Sequence, residues 1–129
     1  MKGIIADVSG TKAVMLSENG EFLTACMDTG HTNKAMRFYN NPSPGDFIRS
    51  LGPRLGILHL HDNNGHWDDH LLPGMGNIDW PAVFDSLDEI GYSGVYNFEL
   101  AMRFGSMREE FVRFAGKYLR AFVDGHGKL

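Results

Sequence analysis

Cysteine is almost absent from these 129 residues: Cys26 stands alone. An internal disulfide is thereby excluded, and so is a zinc cluster built from several thiolates. Blocks of lysine or arginine are missing as well. Twelve basic residues against 16 acidic ones leave a formal charge of −4, which argues against a broad phosphate-binding surface and disfavours nucleic acid as a partner. No window comes near the roughly 20 apolar residues of a membrane-spanning helix. The opening "MKGIIADVSG" breaks its short apolar run with Asp7, so it does not read as a signal peptide. These absences together read as a cytoplasmic protein without membrane contact. A composition 43% hydrophobic and 22% charged suits one globular domain over residues 1–129.

What is present is concentrated. The stretch "HLHDNNGHWDDHLLPGMG", His59 to Gly76, holds four of the six histidines and three aspartates. Two explanations compete, metal ligation and a polar loop that happens to be rich in imidazole.

Three segments alternate as strands do. In "EFLTACMD", Phe22, Thr24, Cys26 and Asp28 share one face, against Leu23, Ala25 and Met27. In "LGILHLHD", Ile57, His59 and His61 oppose Leu58 and Leu60. In "GVYNFEL", Val95, Asn97 and Glu99 oppose Tyr96, Phe98 and Leu100. One face of each strand is apolar throughout, and the other ends in a carboxylate or an imidazole. Helices fall between and after the strands. Ser43 caps one that Gly52 stops, Asp79 caps a second that Gly91 closes, and a capping box from Ser106 to Glu109 opens the last. That last helix carries a stripe of Phe111, Phe114, Ala115, Tyr118, Leu119 and Phe122. A short helix is expected near Lys12 to Leu16.

Strands alternating with helices imply βαβ units and a parallel sheet. Strands covered on both faces would be apolar on both, and here only one face is. The expected fold is therefore α/β, a partial (β/α)8 TIM barrel with helices on the outer face of a parallel sheet. Barrel sites lie at the C-terminal ends of strands, where Asp28, His59, His61 and Glu99 fall. A full barrel needs roughly 250 residues and eight strands, so this sequence accounts for about half of one.

Each candidate also has a plain reading. Asp28 in "DTGH" could simply cap a turn at Gly30. A strand histidine is commonly a hydrogen-bonded core residue, although His59 and His61 point the same way beside Asp62. Glu99 sits near the end of an otherwise apolar strand, where an unpaired carboxylate would be costly. Asp68, Asp69 and His70 lie in a long loop that is either functional or merely solvated. Trp67 either stacks on a sugar or covers the loop, and His66 and His126 are read as solvated. Asp28, His59 and Glu99 nonetheless share one rim of one sheet. Their mixed oxygen and nitrogen donors suit Mn²⁺, Co²⁺, Mg²⁺ or Zn²⁺.

"ACMDTGH", "LHLHDNNG…DDHLLPGMGNIDW" and "IGYSGVYNFEL" together resemble strands six to eight of the xylose-isomerase-like barrels. That group includes sugar-phosphate isomerases and epimerases as well as zinc-dependent apurinic-site endonucleases. The resemblance implies that Asp28, His59 and Glu99 are metal ligands, with His31 at the metal or the substrate. It further implies Glu99 as the catalytic carboxylate and "LPGMGNIDW" as a loop closing over the substrate, with His61, Asp68 and His70 placed at that substrate. The implied activity is divalent-metal-assisted proton transfer through an ene-diolate on a sugar or sugar phosphate. Asp68 and His70 keep the D-x-H spacing of the endonucleases, so phosphodiester hydrolysis is the alternative. The family's strand-five glutamate has no counterpart, since no glutamate precedes Glu18. A non-catalytic half-barrel acting by association is a third reading. Either a homo-oligomer or a chain supplying the missing half-barrel would fill the gap.

Overall fold

A computed structural model describes residues 5–6, 13–14, 24–101 and 105–128. Two strands, β1 (Ile5–Ala6) and β2 (Ala13–Val14), pair antiparallel. Ala13 and Val14 are therefore strand and not the helix anticipated near Lys12 to Leu16, whose other residues lie outside the described set. A two-residue bridge is too short to show in the periodicity of a sequence.

The body of the fold is a parallel sheet in the order β3 (Ala25–Asp28), β4 (Leu55–Leu60), β5 (Tyr96–Phe98). Between β3 and β4 come α1 (Thr29–Tyr39) and α2 (Pro44–Leu51). Helix α3 (Trp80–Glu89) links β4 to β5, and α4 (Arg108–Asp124) follows. The alternation expected from sequence is realised over most of the sheet: Ala25, Met27, Leu58 and Leu60 are buried, while Thr24, Cys26, Ile57, Val95 and Asn97 are exposed. It breaks at Leu55, buried beside a register shift between Ala25 and Cys26, and at His61, expected on the open face with His59 but fully buried. The result is an α/β fragment consistent with a partial TIM barrel.

The buried face packs on Ile48 and Leu51 of α2, Trp80, Val83, Phe84 and Leu87 of α3, and Phe122 of α4. Trp80 and Phe84 both meet the Phe122 ring edge-on, at centroid distances of 5.6 and 6.0 Å, a favoured arrangement for aromatic pairs. Gly45 lets α2 approach α3 closely, because a Cβ there would lie 2.9 Å from Ser86 Oγ and 3.0 Å from the Ala82 carbonyl. Arg49 spans the same two helices, donating to both Glu89 oxygens at 2.6 and 3.0 Å.

Local capping signals hold in two of three helices. Ser43 accepts from Asp46 N–H and Asp79 from Ala82 N–H. Helix α3 ends at Glu89 with Ile90 as its C-cap, and Gly91 closes it with φ 67 while Tyr92 N–H bonds back to the Leu87 carbonyl at 2.9 Å. The capping box at Ser106 does not form. Residues Gly105–Met107 make a 3₁₀ turn, and Met107 precedes α4 without a side-chain cap. The stripe of α4 is also only half used: Ala115 and Phe122 are buried, whereas Phe114 is exposed. Only the C-terminal half of α4 meets the core. Among the described residues no helix is long and apolar enough to cross a membrane.

Candidate metal centre

Strand register builds the site. Asp28 on β3 stands opposite His59 on β4, and His59 stands opposite Asn97 on β5. Glu99 follows two residues later on the same face, its N–H still donating to the Leu60 carbonyl at 3.1 Å. Neighbouring strands lie about 4.8 Å apart, which sets Asp28 beside His59, and Glu99 reaches the same rim from just past the end of β5. One ligand atom from each of Asp28, His59 and Glu99 lies within 4.8 Å of the others, and all three side chains are partly exposed. His59 Nδ1 is 2.9 Å from Glu99 Oε1.

Asp28 does two things. As the residue before α1 it accepts the His31 N–H at 2.9 Å, where the helix dipole favours a negative charge. The capping role foreseen as the plain alternative is thus real, and it coexists with a place in the donor set. Its backbone carbonyl accepts from Thr32 Oγ1 at 2.7 Å.

A second group gathers around Asp68. His31 Nε2 lies 3.2 Å and His70 Nε2 3.4 Å from Asp68 Oδ2, and His61 Nε2 is 3.9 Å from Oδ1. His31, His61, Asp68 and His70 also offer ligand atoms within 4.8 Å of one another. The contact of His70 Nδ1 with the Glu99 carbonyl, at 3.0 Å, assigns its proton, since a carbonyl only accepts. His70 has φ 51, and its own carbonyl takes the Ala101 N–H at 3.0 Å. The loop is thereby stitched to the exit of β5.

His61 differs from its neighbours in being fully buried, with its ring stacked on His70 at 3.8 Å. Its Nε2 is 2.9 Å from Asp28 Oδ1, yet neither ring nitrogen completes a well-directed hydrogen bond. The contact is close though imperfectly aligned, and the Asp28 carboxylate is the group that faces Nε2. Burial works against both charged forms. For His61 the Asp28 and Asp68 carboxylates outweigh burial and raise the imidazole above its ordinary value. For Asp28 the two histidines and the His31 N–H outweigh burial and lower the carboxyl. A raised imidazole stabilises the fold below its unfolded pKa of 6.5 and loses that contribution as pH rises through the folded value. A lowered carboxyl stabilises above 3.8 and loses its contribution as pH falls through the folded value. In chelator-treated protein, the stability lost on Asp28→Asn should therefore peak between those values and shrink at alkaline pH. Urea midpoints compared across pH check this, and a loss that stays flat or grows toward pH 8 would contradict it.

The residues least visible in the sequence hold the loop. Asp62 is completely buried, and its carboxylate accepts from Asn63, Gly74 and Ile78 N–H and from Trp80 Nε1. Asn33 on α1 donates to Asn63 Oδ1 at 2.9 Å and Asn77 Oδ1 at 2.8 Å. Gly76 is required there, because a Cβ would fall 2.3 Å from both Asp62 Oδ1 and the Asn63 carbonyl. The clue available in sequence was "HDNNG" directly after a strand, a cluster of turn-forming amides around one acid. Trp67 is 75% exposed and His66 is exposed, while His126 lies 3.0 Å from Asp85.

The donor chemistry fits a divalent cation. Two carboxylates and one imidazole at one rim form a hard, mixed set of the kind Mn²⁺, Co²⁺, Mg²⁺ and Zn²⁺ accept.

Comparison with known proteins agrees with this architecture. The D-psicose 3-epimerase of Enterocloster bolteae is 35% identical over 68 residues, which is 53% of this chain and 19% of that protein. An uncharacterised protein of Methanocaldococcus jannaschii is 43% identical over 75 residues, 56% of this chain and 24% of the relative. The crystal structure of a D-tagatose 3-epimerase-like protein matches with a TM-score of 0.57 and 31% identity, covering 83% of this chain and 39% of that one. The chain thus spans 24% or less of these two curated relatives' length. The model of the xylose isomerase-like TIM barrel family matches residues 12–118, most of the sequence, and this chain belongs to that family.

Proposed function

We propose that this chain carries the strand-end half of a sugar or sugar-phosphate epimerase or isomerase site, working with a divalent metal. The convergence of Asp28, His59 and Glu99 on one rim is the observation that carries the reading. Relatives named as 3-epimerases of D-psicose support the substrate class. Asp28, His59 and Glu99 would hold the ion, with His31 beside it. When bound, the ion supplies Lewis-acid polarisation of neighbouring substrate oxygens. The chain's own residues do the rest. Glu99 would take the proton from carbon in the manner of a positioned carboxylate base, and inversion at that carbon requires a second group on the opposite face to deliver a proton. His59, 2.9 Å from Oε1, would orient that carboxylate. Asp68 and His70, both partly exposed, would meet substrate hydroxyls.

The test is metal binding. The wild-type chain should bind Mn²⁺ weakly, since three protein donors leave the ion under-coordinated. Glu99→Gln should weaken that binding by about tenfold or more, a loss of at least roughly 1.4 kcal/mol. Identical calorimetric titrations for the two proteins would remove the assignment. A second reading, metal-dependent phosphodiester hydrolysis, is favoured by the separate donor group of His31, His61, Asp68 and His70. Robust zinc-dependent incision of abasic-site DNA would promote it, and the expected result is none.

The same reading implies cover for the exposed inner face. Ile57 is 46% and Val95 79% exposed there, and β3 and β5 each have one side unpaired within this sheet, which invites strand pairing with another chain. Either a second copy or polypeptide supplying the rest of a barrel would provide the cover. For the 129-residue chain alone, light scattering at micromolar concentration should read a homo-oligomer, and a well-folded strict monomer would rule that out.

A further inference from the structure

We propose that His61 is a positioning residue, which holds the Asp28 carboxylate so that one oxygen is presented to the cation, and that Gly30 is glycine to admit its ring. This rests on the metal reading given above. The ring lies one residue past the end of β4 and is enclosed on several sides. His70 stacks on it at 3.8 Å, and His31 meets it edge-on at 5.7 Å. On another side is Gly30, where a Cβ would fall 2.0 Å from Cε1 and 2.4 Å from Nδ1 of the imidazole. No ring movement short of leaving the pocket would relieve such an overlap. The backbone is held as firmly, since Thr29 Oγ1 donates to the His61 carbonyl at 2.9 Å and accepts its N–H at 3.2 Å.

This enclosure leaves Nε2 facing Asp28 Oδ1 at 2.9 Å. The same oxygen accepts the His31 N–H at 2.9 Å. Oδ1 is thus engaged from two directions at 2.9 Å, whereas Oδ2 has the looser contact, His31 Nδ1 at 3.5 Å, and is the oxygen assigned to a cation shared with His59 and Glu99. A buried imidazole without a well-directed hydrogen bond is costly, so the position makes sense where a carboxylate charge holds it. Because His61 is fully buried, it acts on the site through Asp28 and not by touching substrate. Outer partners of metal ligands commonly govern affinity in this way, by about 10- to 100-fold.

Two substitutions separate positioning from packing. In His61→Gln the amide nitrogen reaches the place of Nε2, and in His61→Asn it stops at the place of Nδ1. Calorimetry with Mn²⁺ on the whole chain should show His61→Gln within about threefold of wild type and His61→Asn weaker by about 10- to 100-fold. Gly30→Ala, which removes no donor, should weaken binding comparably, and combining it with His61→Asn should add little further. A general packing defect would lower both amide variants alike, and that result, or wild-type affinity in His61→Asn, overturns the proposal. Absence of Mn²⁺ binding by wild type overturns the metal reading itself and this role with it. If His61→Asn does not fold, imidazole ¹⁵N resonances of metal-free wild type and Asp28→Asn decide. The His61 Nε2 signal should move when the carboxylate is lost, and an unmoved signal overturns the proposal.

Discussion

Asp62→Ala should lower the unfolding free energy by about 3–5 kcal/mol, because it strands four N–H donors at roughly 1–3 kcal/mol each before relaxation. The carboxylate is fully enclosed. Oδ1 accepts Asn63 N–H at 2.9 Å and Ile78 N–H at 3.3 Å, and Oδ2 accepts Gly74 N–H and Trp80 Nε1–H, both at 2.8 Å. Hydrogen bonds to a charged group contribute roughly 1.5–3 kcal/mol each. Simple addition would overshoot, because water entering the vacated space satisfies some of the stranded donors. Urea unfolding at unchanged slope reads the difference directly. A loss below about 1 kcal/mol would mean the loop folds independently of this carboxylate.

Trp80→Ala should cost a similar amount, about 3–5 kcal/mol, for a different reason. The side chain is nearly fully buried and packs against Phe84 and Phe122, so truncation leaves a cavity in the core. Trp80→Phe separates its two roles: most of the packing stays and the donor to Asp62 goes, for a loss nearer 1–2 kcal/mol. Since Trp80 and Asp62 are partners, the double variant Asp62→Ala/Trp80→Phe should lose less than the sum of the single variants. Strict additivity in that cycle would deny the hydrogen bond at 2.8 Å any energetic weight.

The contrast between what could and could not be read from residues follows from distance along the chain. Alternation in Ala25–Asp28 and over residues 57–60, and the caps at Ser43 and Asp79, are settled within a few residues. They came through as read. The rim of Asp28, His59 and Glu99 followed once a parallel sheet was inferred, because register then sets neighbours. Two local signals failed because tertiary context overrode them. Ser106 had the spacing of a capping box but lies in a 3₁₀ turn, and Phe114 had the periodicity of a core residue but stays 53% exposed. Of the Asp62 network only the amide-rich turn "HDNNG" was legible. Its farther partners, Gly74, Ile78 and Trp80, come from a loop and the start of a helix, and no period links an aspartate to backbone amides in irregular chain. The burial of His61 was hidden for the same reason, since the vacancy at Gly30 belongs to another element.

Because each donor of the rim terminates a different strand, no short stretch of chain contains the site. Asp28 and His59 are separated by 31 positions and His59 and Glu99 by 40 (59 − 28 and 99 − 59). Both loops must close, and both parallel pairings must register, before the three groups meet. A cation that bridges them can therefore discriminate between the finished sheet and everything that precedes it. On the proposed metal reading the donor set is in effect a proofreading contact for assembly, since an ion held by all three groups would stabilise the aligned sheet in preference to partly formed ones.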